Sequence, residues 1–219
     1  MMNKRPCVIL VADSMMVGAV KGFFSNPQWH MKLGCSHFDF DPRTDLICDS
    51  LGNDQGVYTR AHELLRPYLA SHDKAIVILD CDWNGEYRKQ RAEITAHIAG
   101  NLALNGWDEG RHRVIAIDPE LENWLWQGDN PNVANALGYK LEGSLRELLK
   151  NQGFWPDGAA KPKDPKGAAI WLQRQTRQPL SSSVYERLCA RVGLGGCVDP
   201  AFQDLRNALI EWFPAEVPA

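Results

Sequence analysis

Three short apolar runs constrain the fold of this chain more than any other feature of its sequence. They read CVILVA, AIVILD and RVIAID, and they span Cys7–Ala12, Ala75–Asp80 and Arg113–Asp118. Each run is rich in Val and Ile and is apolar almost throughout. Such runs are typical of strands that are buried on both faces, as in a parallel sheet covered by helices. A fourth run, Cys35–Asp41, alternates polar and apolar residues and predicts an edge strand.

Segments with helical character separate these runs. Met15–Phe24 follows the first run, with Ser14 as a suitable N-cap. Tyr58–Leu69 precedes the second run, and Glu86–Leu104 follows it. The alternation of strands and helices predicts a doubly wound α/β domain, in which a mostly parallel sheet is flanked by helices.

The pattern changes in the second half of the chain. From Pro119 onward it indicates helices and loops, and the last helix has Asp199 as its cap and Pro200 as its first residue. We therefore predict an α/β core over residues 1–127 and a helical C-terminal region over residues 128–219, packed on that core.

Composition narrows the class of protein. The chain has 219 residues, of which 44% are hydrophobic, and its formal net charge is −3. This net charge argues against histone-like binding of nucleic acid over the whole surface, although it allows a local basic patch. No apolar run approaches the roughly 20 residues that cross a bilayer, and the N-terminus lacks a signal-peptide profile. We expect a cytoplasmic protein without membrane contact.

Acidic residues follow all three apolar runs. They are Asp13, Asp80, Asp82, Asp118, Glu120 and Glu122. In open parallel sheets, ligands gather at the carboxyl ends of the strands. Hard cations such as Mg²⁺ prefer oxygen ligands, and they are often held by one or two carboxylates. The pair Asp80 and Asp82 is therefore a candidate metal site, although Asp80 would equally suit a helix cap and Asp82 a solvated position.

The two glutamates after the third run offer a further ligand. Positions two residues apart do not share a face of a regular helix, so we expect at most one of them to reach the site unless the first turn is irregular. Glu122 is the preferred candidate. Both residues would also suit a structural role, as favourable charge near the positive end of a helix dipole.

Together, these motifs give the chain a family resemblance. A strand, a turn and a second strand that ends in Asp-x-Asp resemble the TOPRIM superfamily of topoisomerase, primase and OLD-family nuclease domains. The segment PELENWLW at Pro119–Trp126 resembles the corresponding segment of small prokaryotic TOPRIM-like proteins, including RloB-like ones. In those proteins a Lys-rich loop and C-terminal helices follow, as KPKDPKGAAIWL and Val184–Trp212 do here.

The first strand departs from the family pattern. TOPRIM proteins have a glutamate at the end of this strand, whereas this chain has Ala12 there, followed by Asp13. Either Asp13 replaces the glutamate with a shift of one residue, or the metal site is incomplete.

The resemblance implies a metal-dependent nuclease acting on phosphodiesters, associated with antiphage defence. Asp80, Asp82 and Glu122 would hold Mg²⁺ or Mn²⁺, and Asp13 or Glu122 would accept a proton. A lysine of the loop would neutralise developing negative charge, with Lys163 chosen from among the candidates Lys161, Lys163 and Lys166. Arg88, Lys89 and Arg91 would suit either a phosphate track or a solvated helix face.

Two other functions stay open at this point. The first is a catalytically degenerate TOPRIM-fold subunit that binds a partner protein or nucleic acid in a defence complex, and the missing glutamate favours it. The second is a nucleotide-binding α/β protein. It ranks last because the chain has no glycine-rich phosphate loop.

Overall fold

The structure, a computed structural model, describes residues 4–49, 51–83, 89–126, 130–140, 143–191 and 197–215. Its centre is a parallel sheet of four strands: β1 (Arg5–Val11), β2 (Leu46–Cys48), β3 (His72–Asp80) and β4 (His112–Ile117). The strands lie in the order β2-β1-β3-β4, and every neighbouring pair is parallel. The predicted α/β fold with a parallel sheet is confirmed, and the three Val/Ile-rich runs form β1, β3 and β4.

Helices connect the strands and continue beyond them. They are α1 (Ser14–Ser25), α2 (Trp29–Leu33), α3 (Asn53–Leu65), α4 (Arg91–Leu104), α5 (Glu122–Leu125), α6 (Pro131–Ala136), α7 (Leu145–Asn151), α8 (Pro165–Thr176), α9 (Ser182–Arg191) and α10 (Pro200–Trp212). Two short 3₁₀ turns, Arg66–Tyr68 and Glu109–Arg111, precede β3 and β4. The cap of α10 is Asp199, as predicted, whereas α1 is capped by Asp13 rather than Ser14.

Two helices of the C-terminal region, α9 and α10, pack on the α/β core. Helix α9 lies along α1, and α10 contacts β4. Side chains from β1, β3, α1, α5, α9 and α10 enclose a single apolar space of about 20 Å³. Apolar contacts of this kind form one core that spans both predicted parts of the chain. The boundary between residues 127 and 128 stays a prediction.

The predicted edge strand at Cys35–Asp41 is wrong. Cys35 forms one isolated antiparallel bridge with Pro214, and the edge strand next to β1 is β2. The aromatic residues that create the alternating pattern pack elsewhere: Phe40 stacks on Phe24 with ring centroids 4.2 Å apart, and Phe38 lies 4.2 Å from Phe213. Alternation in this segment therefore reflects an aromatic cluster rather than a pleat.

Among the helices that the structure describes, none combines the length and apolar character needed to cross a bilayer.

Candidate functional site

The strand order creates a topological switch point between β1 and β3. After β1 the chain moves outward to β2, and it then returns to place β3 on the other side of β1. In open α/β sheets, ligands bind outside the carboxyl ends of the two strands at such a point. Asp13 follows β1 there, and Asp80 ends β3. The residues that the sequence singled out therefore meet at the place where the fold favours a ligand.

A cavity of about 140 Å³ opens at this edge of the sheet. Six carboxylates and one lysine line it, together with Met15, Trp83 and Leu121. The charged residues are Asp13, Asp54, Asp80, Asp82, Glu120, Glu122 and Lys166. We call this cavity and its seven charged residues the carboxylate cleft. Five of its six acids follow the predicted strands, and Asp54 was not foreseen.

Asp80 is the most buried of the aspartates in the carboxylate cleft, with 9% of its surface exposed. Its Oδ1 atom is buried and has no hydrogen-bond partner among the described residues. Burial raises the pKa of Asp80 well above its ordinary value, and the charges of Asp54 and Glu122 raise it further. A buried carboxylate oxygen without a hydrogen-bond partner is costly to a fold, so its presence calls for an explanation other than stability.

Asp54 reaches the cleft from the first turn of α3. Its Oδ1 accepts a hydrogen bond from the backbone N–H of Asp80 at 2.8 Å. Burial raises the pKa of Asp54; the bond from Asp80 opposes this shift, and the charge of Asp13 adds to it. The sequence predicted a helix from Tyr58, whereas α3 begins at Asn53. The sequence signal that could have identified Asp54 is its position in the first turn of a helix that follows a strand.

Asp13 and Asp82 differ in their structural role and in their exposure. Asp13 is the N-cap of α1, and its side chain accepts a hydrogen bond from the N–H of Met16 at 2.8 Å. Asp82 is exposed and lies at the rim. The N–H groups of Cys81 and Asp82 donate to the carbonyl of Pro119, at 3.0 and 3.1 Å. These bonds tie the segment after β4 to the end of β3.

Both glutamates of that segment line the cleft, which is the exception that an irregular first turn allows. The reason is that α5 begins at Glu122, so Glu120 lies in the turn before the helix and is free of helical geometry. Glu120 pairs with Lys166 of α8. Burial raises the pKa of Glu120, although the hydrogen bond and charge of Lys166 oppose the shift.

Glu122 is buried and has a hydrogen-bond partner from the C-terminal region. The hydroxyl of Tyr185, in α9, donates to Glu122 Oε1 at 2.5 Å. Burial and the charge of Glu122 hold the pKa of Tyr185 above its ordinary value, so the phenol stays protonated. Sequence reasoning missed Tyr185, because it lies 63 residues from Glu122 along the chain.

Of the three candidate lysines, Lys166 is the one that lines the cleft. Its burial lowers its pKa, but the hydrogen bond and charge of Glu120 more than offset this effect and raise it. Lys163 is exposed and does not line the cleft, and Lys161 donates to Asp199 at 3.3 Å. The structure therefore does not bring Lys163, the lysine chosen from the sequence, to the acids.

The basic residues after β3 do not line the cleft either. Arg88 lies outside the described residues. Lys89 donates to Glu93 at 2.9 Å, and Arg91 donates to the carbonyl of Ala116 and pairs with Asp204. Of the two interpretations of these residues, the phosphate track finds no support in these contacts.

Larger cavities, of about 670 and 470 Å³, lie in the C-terminal region. The first contains Arg146, Lys161 and Asp199, and the second contains Lys140. Neither gathers several carboxylates. A third cavity, of about 380 Å³, is lined by Glu109, Asp204 and Glu211, but Glu211 pairs with Arg113 and Asp204 with Arg91. We therefore consider the smaller carboxylate cleft the candidate site, because perturbed pKa values and converging charges mark functional sites better than volume does.

The acids of the cleft suit a divalent cation in their chemistry. All are oxygen donors, and Asp80 Oδ1 is buried without a partner. Within the part of the chain that the structure describes, no three His, Cys, Asp or Glu side chains have the mutual geometry of a preformed metal site. Mg²⁺ is commonly held by one or two carboxylates and retains several waters, so this finding is compatible with a site of fewer protein ligands.

We compared the chain with protein-family models, with curated proteins and with solved structures, and none gave a significant match.

Proposed function

We propose that the chain is a TOPRIM-like, metal-dependent nuclease that acts on phosphodiesters of nucleic acids. The observation that carries the proposal is the buried Asp80, whose Oδ1 has no hydrogen-bond partner among the described residues, at the switch point of a parallel sheet and among five further acids. Repulsion between such groups is relieved when a cation binds between them. The resemblance to prokaryotic TOPRIM-like proteins extends the proposal to a setting in antiphage defence.

The residues of the cleft have distinct roles in this proposal. One or two of Asp80, Asp82 and Glu122 would hold Mg²⁺ or Mn²⁺ directly, and waters would complete its coordination. When bound, such a cation supplies Lewis-acid stabilisation of a phosphate oxygen and lowers the pKa of a bound water. Asp13, at the end of β1, would accept a proton from the attacking water.

Lys166 takes the role that the sequence assigned to Lys163. Its ammonium group lines the cleft and is half-exposed, so it can approach a phosphate while it stays paired with Glu120. A fixed cation at this position would stabilise the negative charge that develops on the phosphate oxygens.

Asp54 provides an alternative to the missing first-strand glutamate. It is half-buried, its pKa is raised, and its carboxylate lies beside the end of β3. We include it with Asp13 among the residues that would replace that glutamate.

A second function has its own support. The absence of three residues in metal-binding geometry among the described residues, together with Ala12 in place of the glutamate, favours a degenerate subunit. In that case the chain would bind a partner protein or nucleic acid without cleaving it.

Calorimetry with Mg²⁺ and Mn²⁺ distinguishes the two functions. We expect the wild type to bind at least one cation, and we expect a variant carrying Asp80→Asn and Asp82→Asn to lose this binding. Asp157→Asn is the matched control, because this exposed aspartate pairs with Lys150 and lies outside the cleft. Single- and double-stranded DNA and RNA are then tested for cleavage with each cation and with a chelator.

The outcomes separate clearly. Wild-type protein that gives no binding heat with either cation would overturn the nuclease proposal and support the degenerate subunit. Binding without cleavage of any of the four substrates would also support a binding role.

A further inference from the structure

The segment that carries the two cleft glutamates is held by side chains from three helices of the C-terminal region. Glu120 pairs with Lys166 of α8, and Glu122 accepts from Tyr185 of α9. Asn123 and Trp124 donate to Asp199, the cap of α10, at 3.3 and 3.1 Å. The geometry of this edge of the cleft therefore depends on residues far away in sequence.

Tyr185 is the most buried of these partners. Its side chain is fully enclosed, and Glu122 is 4% exposed. A buried carboxylate needs a donor to compensate for lost water, and a hydroxyl bound to a carboxylate forms one of the stronger hydrogen bonds. The 2.5 Å bond therefore fixes the orientation of the Glu122 carboxylate where it lines the cleft.

Helix α9 has little freedom to move Tyr185 away. The backbone of α9 lies directly against α1, where Gly18 and Gly22 face it. A Cβ atom added at Gly18 would lie 2.0 Å from the carbonyl oxygen of Ser182, and one at Gly22 would lie 2.1 Å from that of Glu186. Tyr185 stands between these two contact points, so the close packing of the two helices sets the position of its hydroxyl.

We propose that Tyr185 is a positioning residue of the carboxylate cleft, which holds Glu122 in the orientation that a divalent cation requires. The proposal rests on the proposed function, because it assigns a partner to one of the metal ligands. Hydrogen-bond partners behind a metal ligand orient it, and their removal typically costs about 10- to 100-fold in metal affinity or activity.

The test compares two tyrosine-to-phenylalanine substitutions in the full chain. Tyr185→Phe removes the hydroxyl and retains the ring in the core. Tyr139→Phe is the matched control, because Tyr139 is also buried but lines a cavity outside the cleft. Binding of Mn²⁺ is measured by calorimetry, and thermal unfolding is measured without metal to show that each variant is folded. We expect Tyr185→Phe to weaken Mn²⁺ binding about 10-fold or more, and Tyr139→Phe to leave it unchanged.

A double-mutant cycle separates positioning from a general loss of stability. Glu122→Gln is combined with Tyr185→Phe, and the Mn²⁺ affinity of the double variant is compared with that of each single variant. If Tyr185 acts through Glu122, the double variant binds no more weakly than Glu122→Gln alone. A merely structural role would give losses that multiply.

Three results would count against the proposals, and they are distinguishable. If the wild type binds Mn²⁺ and Tyr185→Phe binds it equally well, the positioning role is overturned and the proposed function stands. Multiplying losses in the cycle likewise overturn the positioning role alone. If the wild type binds no cation, the proposed function fails and the role of Tyr185 fails with it.

Discussion

Two buried aspartates, at opposite ends of the sheet, show how differently the chain treats a carboxylate. Asp45 lies near the amino ends of β1 and β3, where Arg5 makes two hydrogen bonds to it and His72 Nε2 lies 3.2 Å from its Oδ1. Asp80 ends β3, and its Oδ1 has no partner among the described residues. The first arrangement stabilises the fold, and the second costs stability, as functional sites commonly do.

Replacing Asp80 with asparagine should stabilise the metal-free protein at neutral pH. Because the pKa of Asp80 is raised in the folded state, its contribution to the free energy of unfolding is fully present below the unfolded-state pKa of about 3.9. That contribution is lost as pH rises through the folded-state pKa. Asparagine does not ionise, so the variant does not lose this stability as pH rises. We expect a gain of about 0.5–2 kcal/mol at pH 7, within the range of common stabilising substitutions.

Thermal unfolding at several pH values checks this expectation. The difference in Tm between Asp80→Asn and the wild type should grow as pH rises from 4 to 7. Glu109→Gln, at an exposed position outside the cleft, serves as the control. A destabilised Asp80→Asn protein at pH 7 would contradict the interpretation that the buried carboxyl group of Asp80 costs stability.

Replacing Asp45 with asparagine should have the opposite effect. Burial tends to raise the pKa of Asp45, but hydrogen bonds from Arg5, the backbone of Asp41 and His72 outweigh it and lower the pKa. We expect a loss of about 3 kcal/mol, the low end for a buried ion pair, since the Arg5 side chain is partly exposed.

The pH dependence of this second effect has the reverse sign. A lowered pKa contributes stability above the unfolded pKa of about 3.9 and loses it as pH falls through the folded pKa. Urea unfolding at pH 7 and pH 3 measures the difference. An Asp45→Asn variant as stable as the wild type at pH 7 would show that the network contributes nothing.

At the scale of helices, glycine makes possible a close backbone contact between α1 and α9. Gly18 and Gly22 are four residues apart, so they lie on the same face of α1. Their missing side chains let the carbonyl groups of Ser182 and Glu186 approach the α1 backbone. The pair is visible in the sequence, but its partner helix is not, because α9 begins 160 residues later.

Alanine at Gly22 should therefore push the two helices apart. The added Cβ would lie 2.1 Å from a backbone oxygen that has no freedom to turn away. We expect a loss of about 1–3 kcal/mol, which is typical of overpacked cores. Because the shift also moves Tyr185, Mn²⁺ binding should weaken in the same variant.

Gly100 provides the matched control in a different helix. It lies within α4, and a Cβ atom there would meet nothing within 4 Å. Gly100→Ala should stabilise the protein by about 0.5–1 kcal/mol through helix propensity. Denaturant unfolding of both variants measures the contrast, and equal effects would contradict the close packing of α1 on α9.

At the scale of the whole molecule, the sequence predicts the parts that local pattern determines. Continuous Val/Ile runs identify β1, β3 and β4, since burial on both faces leaves a clear signature. The acids after these strands follow from the same reasoning, because parallel strands bring their carboxyl ends to one edge. Strand β2 escaped notice because three residues are too short to show any period.

Contacts between residues that are far apart in sequence depend on the tertiary path of the chain. Lys166 and Tyr185 lie 46 and 63 residues from the glutamates that they contact, and no spacing rule connects them. Regular helical geometry favoured Glu122 over Glu120, but it does not apply to Glu120 because α5 starts two residues later. Local pattern therefore predicts the acids of the cleft and leaves their partners unknown.

A shortened chain of residues 1–127 tests how far the core depends on the C-terminal region. Without α9 and α10, the apolar face around Ile9 and Ile78 would be exposed. We expect this fragment to lose cooperative thermal unfolding and its near-ultraviolet circular dichroism. A fragment that melts cooperatively would show that the core folds alone and that the C-terminal region is a separate module.

Because like charges are crowded in the carboxylate cleft, binding of a cation there should be measurable as a change in thermal stability. An unfolded chain disperses these acids, so a cation that fits between them binds the native state in preference. Such a ligand raises the melting temperature by an amount that grows with its concentration over its dissociation constant. A melting screen across many ions and small cationic compounds therefore reads out occupancy directly, before any reaction of the protein is known.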